Sequence, residues 1–111
     1  YKMKLIIAIV QDEDASRLIS TLMNEGYSVT KLATTGGFLR AGNTTLLLGG
    51  EDDRVKGALD VIERVCKSRK QIATSPSPVA GTSGVYAPYP IEVVVGGATV
   101  FVLDVEQFVK F

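Results

Sequence analysis

Leu5-Ile6-Ile7-Ala8-Ile9-Val10-Gln11-Asp12-Glu13-Asp14-Ala15 changes its pattern midway. Up to Val10 it is apolar without alternation, as a strand is when both of its faces are covered. From Asp12 the period becomes helical: Ala15, Leu18, Ile19, Leu22 and Met23 fall on one stripe, acidic residues fill the first turn, and Gly26 stands at the stop. A doubly covered strand thus runs into a helix with one buried face. In so small a chain, the strand's second cover is expected from another subunit.

Beyond Gly26, the segment 27–33 is rich in aromatic, β-branched and apolar residues and reads as a second strand. The loop Thr34-Thr35-Gly36-Gly37-Phe38-Leu39-Arg40-Ala41-Gly42-Asn43 follows, and a third strand is expected over 44–48. Gly49-Gly50-Glu51-Asp52-Asp53 then repeats the opening pattern. It leads into Val55, Ala58, Leu59, Ile62, Val65 and Cys66 at helical spacing, a second amphipathic helix. The stretch 67–90 carries Ser-Pro-Ser-Pro, Gly81, Gly84, Pro88 and Pro90 and reads as a long mobile loop with at most a short strand near 71–73. Segments 91–95 and 98–103 are strand-like on either side of Gly96-Gly97, and 105–111 is expected to form a short closing helix.

Strand, helix, strand, strand, helix, strand is the split βαβ order of a ferredoxin-like fold. The class is therefore α+β, with an antiparallel sheet and both helices on one face. The other face carries too many Ile, Val and Leu side chains to stay exposed in a soluble monomer, so the subunit is expected to oligomerise through it. The domain is expected to be one unit over 3–111. Tyr1 and Lys2 precede Met3, read as the natural start, and are assigned no role.

Composition narrows the function. The chain of 111 residues carries 12 Lys plus Arg against 12 Asp plus Glu, so no overall field draws it to a nucleic acid polymer or an acidic membrane. Any phosphate must be held locally. One cysteine, Cys66, gives neither a disulfide framework nor a cysteine metal cluster, which suits a reducing cytoplasm. No segment resembles an export signal or a membrane span. Histidine is absent, which removes the side chain most used for proton transfer near neutral pH.

Several residues invite a chemical reading. Asp12, Glu13 and Asp14, like Glu51, Asp52 and Asp53, could hold a metal or act as acid and base. Their place at helix starts favours capping instead. Cys66 shares an apolar stripe and is preferred as a packing residue over a nucleophile. The loop 34–43 is less easily assigned. Its glycines let amides approach phosphate oxygens, its Thr and Asn side chains give neutral hydrogen bonds, and Phe38 offers a face for a base. A nucleotide loop and a plain surface loop both fit. The spacing does not match the Gly-Lys-Ser/Thr phosphate loop.

The run Lys31-Leu32-Ala33-Thr34-Thr35-Gly36-Gly37-Phe38-Leu39-Arg40-Ala41-Gly42-Asn43-Thr44-Thr45 closely resembles the signature of the PII-like cyclic di-AMP receptors of Gram-positive bacteria. Ile6-Ala8-Ile9-Val10-Gln11-Asp12 and Val95-Gly96-Gly97-Ala98-Thr99-Val100-Phe101-Val102-Leu103 extend the resemblance to nearly the whole chain. It is weakest over 67–87. It implies a homotrimer like those of the nitrogen-regulatory PII proteins, with ligand pockets between neighbouring subunits. By family correspondence Thr30, Gly37, Phe38, Leu39, Asn43 and Gly49 contribute to the pocket, and a neighbouring subunit offers Phe101 and its C-terminal tail. Ser28 and Lys110, where some relatives carry arginine and glutamine, are further candidates for ligand contact. The implied function is a cytoplasmic receptor that binds cyclic di-AMP, signals through mobile loops to a downstream protein partner, and needs neither a cofactor nor a metal. No catalytic residue is assigned. The competing readings are a PII-type sensor of ATP or another nucleotide or metabolite, and a small carboxylate enzyme.

Overall fold

The structure is a computed structural model and describes residues 2–32, 42–75 and 89–111. Its elements are β1 (Met3–Gln11), α1 (Asp12–Asn24), β2 (Val29–Leu32), β3 (Asn43–Glu51), α2 (Val55–Cys66), β4 (Arg69–Ser75), β5 (Tyr89–Val95) and β6 (Ala98–Asp104), with a 3-10 turn over Asp52–Arg54 leading into α2. β2, β3, β1 and β6 form one antiparallel sheet in that spatial order. With β1, α1, β2, β3, α2 and β6 taken in chain order, this is the double split βαβ arrangement.

The helices decide which face of the sheet is covered. Ile6, Ala8 and Val10 of β1 and Leu46 and Leu48 of β3 are buried together with Ala15, Leu18 and Leu22 of α1 and Ala58, Val61, Ile62 and Cys66 of α2. Alternation along the strands sends their neighbours to the opposite face, where, among the described residues, no element covers Ile7, Leu47 or Phe101. Phe101 retains 52% of its surface and Leu103 45%. The uncovered apolar face expected from the sequence is present.

α1 ends as anticipated: Gly26 adopts φ +89, a backbone conformation in which an L side chain is strained. At the helix starts the expected capping is absent. Gln11 before α1, Glu51 before the 3-10 turn and Arg54 before α2 all make no side-chain cap bond. Asp12, Glu13 and Asp14 lie inside the first turn of α1 and Asp52 and Asp53 inside the 3-10 turn, and Asp12 and Asp14 find other partners. Thr44 Oγ1 donates to Asp12 Oδ1, and Asp14 is buried among arginines.

Two further expectations are corrected. Less of the stretch 67–90 is loop than expected: the short strand foreseen near 71–73 is present but longer, as β4, and it pairs antiparallel with β5 from Arg69 with Val95 to Ser75 with Tyr89. β6 takes the place beside β1, so the apolar run of β5 finds its backbone partner in β4 instead. The centre of that stretch, 76–88, lies outside the described residues. The closing helix over 105–111 does not form. One isolated turn or two of helix is marginal without a packed face, and Phe108, Val109 and Phe111 are all exposed.

Candidate functional site

The sequence candidates on strands fall on one side of the sheet. Thr30 pairs with Leu47, Leu47 with Ile7, and Ile7 with Phe101, so Thr30 and Phe101 are the two ends of a single row across all four strands. Asn43 and Gly49 share the parity of Leu47 on β3 and so lie on the same uncovered face. With strands about 4.8 Å apart, three spacings separate Thr30 from Phe101 by about 14 Å within one chain.

Ser28 and Gly49 meet in a cleft of about 290 Å³ whose lining also takes in Gly26, Tyr27, Gly50, Glu51, Arg54 and Val55 and, on the helix-covered side of the sheet, Ile6 and Leu48. The guanidinium of Arg54 lies 4.2 Å from the centre of the Tyr27 ring and donates to the carbonyls of Glu25 at 3.1 Å and Gly26 at 3.4 Å. In return, the Tyr27 hydroxyl donates to the Arg54 carbonyl at 3.1 Å. This interlock holds a cation in the lining of the cleft. The sequence reading missed it. It takes Tyr27 only as the start of a strand and assigns Arg54 no role, and no spacing rule relates two residues so far apart in the chain.

Asn43 stands apart from that cleft, at the opposite end of β3. It is paired with Gln11 in the ladder, and the preceding residue, Gly42, accepts the amide of Asp12 at 2.8 Å. Lys110 is on the exposed tail after β6 and does not line the cleft. Gly37, Phe38 and Leu39 lie outside the described residues. The chain therefore brings Ser28 and Gly49 together, places Thr30 on the adjoining strand, and keeps Phe101 at the far edge.

Cys66 is fully buried among apolar residues. Burial, reinforced by the charge of Asp14, pushes its thiol up to about 11, away from the range of a reactive thiolate. Its packing role holds. No helix among the described residues is long and apolar enough to cross a membrane.

Strand order and helix placement define a PII-like, double split βαβ fold. Among solved structures, PII of Arabidopsis thaliana bound to citrate matches with a TM-score of 0.57 at 16% identity, covering 98% of this chain and 80% of that one. A DUF3240 family protein from Shewanella baltica matches with a TM-score of 0.57 at 9% identity, covering 100% of this chain and 98% of that one. A functionally unknown protein from Pediococcus pentosaceus is nearer, with a TM-score of 0.77 and 44% identity over 99% of this chain and 98% of that one. Residues 3–111 match the cyclic-di-AMP receptor family, and the chain belongs to it.

Proposed function

We propose that three copies of the chain close their uncovered sheet faces against one another and bind cyclic di-AMP between neighbouring subunits. The observation that carries this reading is the row from Thr30 to Phe101. Its ends are too far apart in one chain to hold one adenine between them, whereas a neighbour's Phe101 can approach the β2 edge from outside. Both are family ligand positions, and an intersubunit pocket reconciles them.

In this reading the loop 34–43 supplies Gly37, Phe38 and Leu39 to one base, with Phe38 stacked on it. Thr30, Asn43 and the Gly49 amide give neutral hydrogen bonds. Arg54 stands beside Ser28 and Gly49 at the end of β3, so a chain of zero net charge still offers a local cation near the sheet edge to a bridging phosphate. The protein acts in the cytoplasm as a receptor without turnover. Ligand shifts the population of its long loops, which a protein partner reads.

Calorimetric titration of the full chain with cyclic di-AMP and, separately, with ATP tests the assignment. Saturable binding of cyclic di-AMP at one site per subunit, with the ligand recovered intact, is the expected result. Tight response to ATP alone would assign the chain to the broader PII class of sensors. Hydrolysed ligand would make it an enzyme.

A further inference from the structure

Between Gln11 and Asp14, the end of β1 and the first turn of α1 hold three separate pieces of chain. The chain entering β3 is fastened by the Asp12 amide to the Gly42 carbonyl at 2.8 Å and by Thr44 Oγ1 to the Asp12 carboxylate. One foot of the β4–β5 ribbon is fastened through Arg69, whose Nη2 and Nη1 reach Asp14 Oδ1 at 2.9 Å and Oδ2 at 3.4 Å in a forked ion pair. The other foot is fastened through Gly96, whose amide donates to Gln11 Oε1 at 2.7 Å. Asp14 is only 2% exposed, and Arg17 also lies 3.5 Å from it. A buried carboxylate held this way fixes geometry more than it adds stability.

Asn43 stands between the two residues fastened to Asp12 and is itself paired with Gln11. The ribbon and this ligand position therefore share one anchor of four consecutive residues. We infer that Arg69 and Asp14 are positioning residues for cyclic di-AMP binding, coupling the β4–β5 ribbon to Asn43 through the first turn of α1. The inference rests on the ligand reading above. Neither residue touches the ligand. Their ion pair holds the ribbon foot against the turn that also holds the entry to β3, so ligand at Asn43 and order at the ribbon foot reinforce each other. Such coupling is reciprocal.

The full-length protein tests this in two ways. In the wild type, hydrogen exchange at the β4 amides 69–72 and the β5 amides 93–95 should slow when cyclic di-AMP is added, a readout that needs no variant. Calorimetry on Arg69→Gln should show affinity weakened about five- to twentyfold, the lower part of the usual range for coupled sites. Arg69→Lys, which keeps the charge but not the fork, should fall between. Combined with Asn43→Ala, Arg69→Gln should lose most of its effect, because the two act through one anchor. Unchanged ribbon exchange on ligand addition overturns the inference, as does wild-type affinity in Arg69→Gln or full additivity with Asn43→Ala. A wild-type chain that binds no cyclic di-AMP overturns the ligand reading first, and the inference with it.

Discussion

A thiol that ionises only near pH 11 in the folded chain, against 9.0 for an ordinary cysteine, ties stability to alkaline pH. The raised value means that the native state holds the Cys66 proton more tightly than the unfolded chain does. The contribution is complete below about pH 9 and is lost as pH rises toward 11. Denaturant midpoints measured from pH 7 to 11 should fall more steeply in the wild type than in Cys66→Ala, and equal slopes would refute the assignment. At Gly96 the constraint is steric. Its φ is +83, and an added Cβ would stand 2.5 Å from Arg69 Nη1 and 2.9 Å from the Lys67 carbonyl. The backbone strain alone costs about 1–2 kcal/mol, so Gly96→Ala should lower the melting temperature by several degrees. An unchanged melt would mean that the ribbon foot relaxes freely.

Elements were legible in proportion to how far their own side chains decide them. β1, α1 and α2 could be read because Ile6, Ala8 and Val10, then Leu18 and Leu22, then Ala58, Ile62 and Cys66 are buried by their own periodicity. β4 was barely visible, since its strand character comes from pairing with β5 and its residues include Arg69, Lys70 and Gln71. The ion pair of Asp14 with Arg69 was hidden for the same reason: a residue in an apparent loop gave no sign that it would return to α1. The candidate site was legible only through its family motif, and the shared row of Thr30 and Phe101 emerged only with the strand register. The loop 34–43 carries its own test. If Phe38 stacks on adenine, Phe38→Ala should weaken cyclic di-AMP binding by about 1–3 kcal/mol, roughly fivefold to somewhat over a hundredfold, with little change in melting. Burial of Phe38 in a core predicts the reverse, a stability loss of about 3–5 kcal/mol.

At the scale of the whole molecule, the proposed trimer puts the uncovered sheet face at its subunit contact. Light scattering should give about three times the 11.9 kDa chain mass. Ile7 is at the centre of the row joining Thr30 to Phe101 and is not part of the helix-covered core. Ile7→Lys should therefore yield a folded monomer with normal helical circular dichroism and no measurable ligand binding. A trimer that survives this substitution would place the subunit contact elsewhere. The ribbon adds a different consequence. It leaves the body at Arg69 and returns at Val95, residues that face each other in its own ladder, and none of its strands belongs to the main sheet. An excursion that closes on itself in this way is a natural splice point. Its two strands can lengthen, shorten or change composition over evolutionary time while the main sheet keeps its register, and a reporter domain grafted into the ribbon would leave the body of the chain unaltered.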